Sequence, residues 1–239
     1  MHSRGFSLLE CLIGLALGLV VLRMGSSVWQ TSQQAHASFT AQLNLQHNAR
    51  VASEAIVTQA ELAGSAQWVG APQTGGVLAV SAPDLSASDH ARGGDSLVLS
   101  HWRSLDPADC LGNRNGTADT IRNQFQRSTT TPNDFACKDG LSLGSTYQAL
   151  AEGVEDFQVT LAEVTADSQK LQWKTPAQVT QWDRVVALEV CLRLASPNRV
   201  SASRTASTGC QGETVPADGH VRWIARRMIQ IGPHQAFNR

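Results

Sequence analysis

An α+β protein follows from three features of the sequence. Phe6 to Leu22 (FSLLECLIGLALGLVVL) is apolar and carries one charge, Glu10. A helix-period stripe continues well beyond that run, with no proline before Pro72, and after Gly64 the apolar residues alternate in strand fashion. The predicted architecture is one long N-terminal helix, membrane-spanning in its first half, packed on an antiparallel β-sheet headpiece with disulfide-stapled loops.

The elements follow in order. Residues 1–5 (MHSRG) form a short basic leader. It is too short for an ordinary secretory signal, and no small-x-small cleavage site follows the apolar run, so that run reads as retained. Residues 6–29 make the membrane half of the helix, close to the length a bilayer requires. Trp29 falls at the outer interface and Arg23 can snorkel to it. Gly14 and Gly18 form a small-xxx-small pair, which serves either close helix packing or local flexibility. Cys11 reads as apolar filler.

Residues 30–64 continue the helix. Leu, Ala, Gln and Ser dominate, and Gly64 stands where helices stop. Phe6 to Ala63 spans roughly 87 Å at about 1.5 Å per residue. Leu45, Ala49, Ala52, Ile56, Ala60 and Ala63 recur at three- and four-residue steps and predict a face packed on a sheet, while Arg50 and Glu54 can pair on another face.

Residues 65–239 form the β-rich headpiece. Predicted strands are Val77 to Val80, Ser96 to His101, Val154 to Val164, Lys170 to Trp173, Arg184 to Leu194 and His220 to Ile231. Residues 103–150 are long and polar, with a turn at Asn115-Gly116, and read as a surface excursion. Cys110, Cys137, Cys191 and Cys210 are even in number and favour two disulfides. Three pairings are open; joining sequence neighbours, Cys110 with Cys137 and Cys191 with Cys210, would staple one polar loop each, and that pairing is adopted.

The most informative single residue is Glu10. A charge at the centre of a bilayer helix costs about 2.5–3.5 kcal/mol on insertion scales, so it calls for a partner. Gly5-Phe6-Ser7-Leu8-Leu9-Glu10 resembles the prepilin processing motif of type IV pilins and type II secretion pseudopilins. The resemblance implies cleavage between Gly5 and Phe6 by a prepilin peptidase, methylation of the new amine on Phe6, and an assembly role for Glu10 in neutralising that amine on a neighbouring subunit. Residues 45–50 (LQHNAR) through 61–64 (ELAG), and 150–159 (LAEGVEDFQV), resemble PilW-type minor pilins and, more distantly, J-type minor pseudopilins.

That resemblance implies a minor pilin that helps start and assemble a type IV pilus, at or near its tip. Its partners would be other minor pilins, the major pilin, the prepilin peptidase and the inner-membrane assembly platform. The headpiece would be periplasmic before assembly and at the cell surface after it. The alternatives are a J-type pseudopilin of a type II secretion system and a tip module that binds DNA or a surface.

The DNA alternative rests on His220, Arg222, Arg226, Arg227, His234 and Arg239, which follow the last acidic residue, Asp218. The same segment alternates like a strand with a charged outer side, and a net charge of -1 gives no global attraction to nucleic acid. His90, His101 and His220 lack the spacing with cysteines that zinc needs, so no metal or cofactor is expected. No nucleophile elbow, phosphate loop or His-Glu-x-x-His is present, and no enzyme is expected.

Overall fold

The computed structural model describes residues 8–63, 87–88, 94–103, 106, 108–114, 120–128, 133–141, 144–165, 170–200 and 206–231. Gly5, Phe6, Gly64, His90, His234, Arg239, the predicted strand at Val77 to Val80 and the turn at Asn115-Gly116 lie outside the described residues.

One helix, α1, runs from Leu8 to Leu62. Its lower half contains an 18-residue window of mean hydropathy 2.0, none of it buried. The described strands are β1 (Ala87–Ser88), β2 (Ser96–Trp102), β3 (Thr120–Arg127), β4 (Asp134–Asp139), β5 (Gln148–Glu152), β6 (Val154–Val164), β7 (Leu171–Lys174), β8 (Val185–Arg199), β9 (Ser207–Thr208), β10 (Thr214–Val215) and β11 (His220–Gln230). They form a five-stranded sheet in order β1-β2-β3-β4-β5, a four-stranded sheet in order β11-β8-β6-β7, and the small pair β10-β9. Every pairing is antiparallel.

The helix stripe packs as its spacing predicts: Leu45, Ala49, Ala52, Ile56, Ala60 and Ala63 are all buried against both larger sheets. Three polar ties hold the same side of α1. Ser38 Oγ donates to the Val200 carbonyl at 3.0 Å, Asn48 Nδ2 to the Glu152 carbonyl at 3.1 Å, and Asn123 Nδ2 to Gln59 Oε1 at 2.6 Å. Asn123 and Gln59 are buried, and Asn123 Oδ1 also accepts from the Cys110 N–H at 2.9 Å. A buried amide is tolerated because its groups are used.

The two larger sheets meet along β6. Phe125 stacks on Phe135 with centroids 6.0 Å apart, and Phe135 meets Phe157 edge-on at 5.0 Å. Asp95, just before β2, has its N–H bonded to the Phe157 carbonyl at 2.6 Å and its carboxylate accepting from the Val159 N–H at 2.8 Å. Gly94 allows that approach: it has φ +120, and a Cβ there would lie 2.8 Å from the Phe157 backbone. Gly153, at φ +84, turns β5 into β6 where a Cβ would meet the Ala195 carbonyl oxygen at 2.8 Å.

The reading of residues 103–150 as a surface excursion is corrected. This stretch supplies β3, β4 and the start of β5, and it buries Ile121, Phe125, Phe135 and Cys137. Polar neighbours obscured the pattern. Thr120-Ile121-Arg122-Asn123-Gln124-Phe125 does alternate, but one inward position is Asn123, whose burial depends on Gln59, a residue remote in sequence.

Candidate functional site: the stem face around Glu10

From Leu8 to His36 every residue of α1 is exposed, so the lower helix stands clear of the headpiece as a stem. At about 1.5 Å per residue those turns are roughly 43 Å long, more than the roughly 30 Å hydrocarbon core needs. Glu10 lies in the first turn and is the one carboxylate between Leu8 and Ser53. Arg23 is the one arginine or lysine between Leu8 and Arg50.

Glu10, Cys11, Gly14, Leu15, Gly18, Leu19 and Leu22 line a shallow groove on the stem. A Cβ added at Gly14, Gly18 or Gly25 would meet nothing within 4 Å. The glycines thus answer no demand of this fold, and they leave a side on which another helix can approach closely. Trp29, 51% exposed, stands above the apolar stretch, where its ring suits an interface.

Among the described residues no group of three or more His, Cys, Asp and Glu side chains is arranged to hold a metal. The structure joins Cys110 to Cys137, with Cα atoms 6.4 Å apart, and Cys191 to Cys210, at 5.8 Å. The first ties the loop after β2 to β4. The second ties the β9–β10 loop to the outer side of β8. Cys11 is a free, exposed thiol on the stem.

The C-terminal arginines are largely neutralised within the fold. Arg222 forks onto Glu155 at 2.9 and 3.1 Å and onto Asp218 at 2.8 and 2.7 Å. The Arg222 hydrogen bonds hold the Asp218 carboxyl well below the usual range, and the two carboxylates raise the guanidinium in turn. Arg226 pairs with Glu189 at 3.0 Å and donates to the Cys210 carbonyl at 2.7 Å. Arg193 pairs with Glu213 and lies 3.4 Å from Glu155. Arg227 is exposed, and His220 Nδ1 lies 2.7 Å from the Ser196 carbonyl oxygen. A phosphate backbone needs several free cations in a row, and Arg222 and Arg226 are occupied. They brace β11 and the disulfide loop.

Sequence reading named Glu10, Gly14, Gly18 and Trp29 on the stem but passed over Phe39 and Leu43. These are large apolar side chains, 61% and 48% exposed, higher on the same helix. Their four-residue spacing, out of phase with the Leu45 stripe, was the available signal.

Residues 116–231, from the approach to β3 through the residue after β11, match the family model described as type IV pilus-assembly protein W. A type IV-like pilin from Thermus thermophilus resembles the chain with a TM-score of 0.47 and 13% sequence identity, over 78% of this chain and 95% of that one. No curated protein matches the chain. The chain is thus PilW-like, similar over most of its headpiece to the type IV pilus-assembly protein W family, with an apolar N-terminal helix of membrane-spanning length beneath it.

Proposed function

We propose that this chain is a minor pilin that helps initiate and assemble a type IV pilus, at or near the filament tip and in complex with other minor pilins. One observation carries the reading: a PilW-like headpiece stands on an exposed apolar stem whose single carboxylate, Glu10, is followed by no lysine, arginine or histidine until Arg23. Cleavage between Gly5 and Phe6 frees an amine on Phe6. That cation on an adjoining subunit, paired with Glu10 inside the apolar bundle, turns two costly charges into one tolerable pair.

The headpiece is anchored in the inner membrane and faces the periplasm until the stem leaves the lipid. Its bulk and its looped strands suit a start or an end of a filament better than a closely repeated shaft. The test is where the chain goes and what travels with it. Immunogold labelling is expected at filament ends, and membrane extraction is expected to recover pilus subunits. Even labelling along the shaft contradicts the minor role, and recovery of secretion pseudopilins in place of pilus subunits moves the chain to that machinery.

A further inference from the structure

β7 (Leu171–Lys174) is an outer strand of the four-stranded sheet, and among the described residues no strand pairs with its far side. The other outer strand, β11, has α1 packed along it. Register decides which backbone groups of β7 are left over. The Thr165 N–H donates to the Lys170 carbonyl at 3.0 Å, and hydrogen-bonded pairs alternate along an antiparallel ladder. The bonded pairs are therefore Glu163 with Gln172 and Leu161 with Lys174, while Leu171 opposite Val164 and Trp173 opposite Ala162 are not bonded to β6. The N–H and C=O of Leu171 and Trp173 point outward.

The same two residues carry exposed apolar side chains. Leu171 is 51% and Trp173 42% exposed, and strand alternation puts both on one face of the sheet. Lys170, Gln172 and Lys174 take the other face. There Lys174 is neutralised by buried Glu163, whose carboxylate it reaches at 2.8 Å and which also accepts from the Thr180 N–H at 3.1 Å and the Thr180 hydroxyl at 2.7 Å. That clamp holds β7 in place. Lys170 is exposed, and among the described residues no carboxylate pairs with it.

Outer strands invite indiscriminate pairing, and lysines, proline and short length are the usual protection. β7 has Lys170, Lys174 and Pro176 at its ends and is four residues long, yet its outward-facing centre is apolar. A second copy is disfavoured, because antiparallel pairing that matches Leu171 with Trp173 sets Lys170 of each copy against Lys174 of the other. An oppositely charged strand meets no such repulsion.

We infer that the outer side of β7 takes up an extended segment of another protein, apolar at the positions opposite Leu171 and Trp173 and acidic at those between and beside them. The added strand uses both backbone groups of Leu171 and of Trp173, and its carboxylates meet Lys170. The site belongs to the headpiece and stands apart from the pilin reading above.

The test uses the full chain in detergent with capped heptapeptides, read by the backbone amide signals of Leu171 and Trp173. A peptide of alternating glutamate and valine is expected to shift those signals and to bind about tenfold more tightly than one of alternating lysine and valine. Methylating the valine nitrogens of the acidic peptide is expected to abolish binding. Lys170→Glu is expected to reverse the order of the two peptides. Leu171→Ser with Trp173→Ser is expected to remove binding at an unchanged unfolding midpoint; should that midpoint fall, Lys170→Glu decides alone. Equal binding of both peptides, binding that survives the methylation, shifts confined to other strands, or no binding at all overturns the inference.

Discussion

A few residues in the headpiece do work that composition does not announce. Gly94 lets the chain pass within touching distance of the Phe157 backbone at a positive φ. Gly94→Ala is expected to destabilise the fold by about 1–3 kcal/mol, read as a lower unfolding midpoint of the detergent-solubilised chain. Asn123→Ala would strand Gln59 Oε1 and the Cys110 N–H, each buried group costing about 1–3 kcal/mol when left unsatisfied. A wild-type midpoint in either variant would show that these contacts are dispensable.

His101 adds a pH dependence at the same scale. It is fully buried on β2, its Nε2 lies 3.2 Å from the Asp106 carbonyl oxygen, and burial lowers its pKa. The unfolded imidazole takes up a proton near about pH 6.5 and the folded one only at lower pH. Between those values the unfolded chain binds more protons, so stability falls as pH falls below about 6.5. Thermal unfolding at pH 7.5 and 5.5 checks this: the acid-side loss should shrink in His101→Gln, and an equal loss in both proteins would rule His101 out as its source.

At the scale of elements, legibility depended on whether each pattern is local. The stripe from Leu45 to Ala63 is written in one helix period, and every member is buried. The predicted Val154–Val164 matches β6, and the predicted 184–194 and 220–231 overlap β8 and β11, because apolar residues recur often enough in those segments to mark them as strands. β3 and β4 were lost because their polar neighbours hide the pattern and their inward set includes Asn123, whose partner Gln59 lies far away in sequence. Ile56→Ala, in the middle of the stripe, is expected to cost about 2–5 kcal/mol, while Leu19→Ala on the exposed stem should leave the headpiece midpoint unchanged. Replacing Cys191 and Cys210 together by alanine should cost about 2–4 kcal/mol and loosen the loop that Arg226 and Arg193 brace, measurable as faster amide exchange in residues 206–216.

At the scale of the whole molecule, one helix joins two environments. Its upper turns complete the headpiece core, and its lower turns carry no contact with that core at all. The stem was readable in sequence because hydrophobicity and a single charge are local facts. The exposure of its upper apolar side was not, since Phe39 and Leu43 look like core residues until the fold leaves them uncovered. The rigid link means that whatever the stem packs against also fixes where the headpiece sits.

The claim that Glu10 finds its counter-ion on a neighbouring stem is tested most directly by Glu10→Val. Chain in the membrane fraction and chain in sheared filaments are measured side by side. Membrane levels equal to wild type with incorporation lost are expected, because valine suits lipid and cannot hold an amine. Normal incorporation would contradict the pairing outright, and loss from the membrane fraction would mean that Glu10 serves insertion, not assembly.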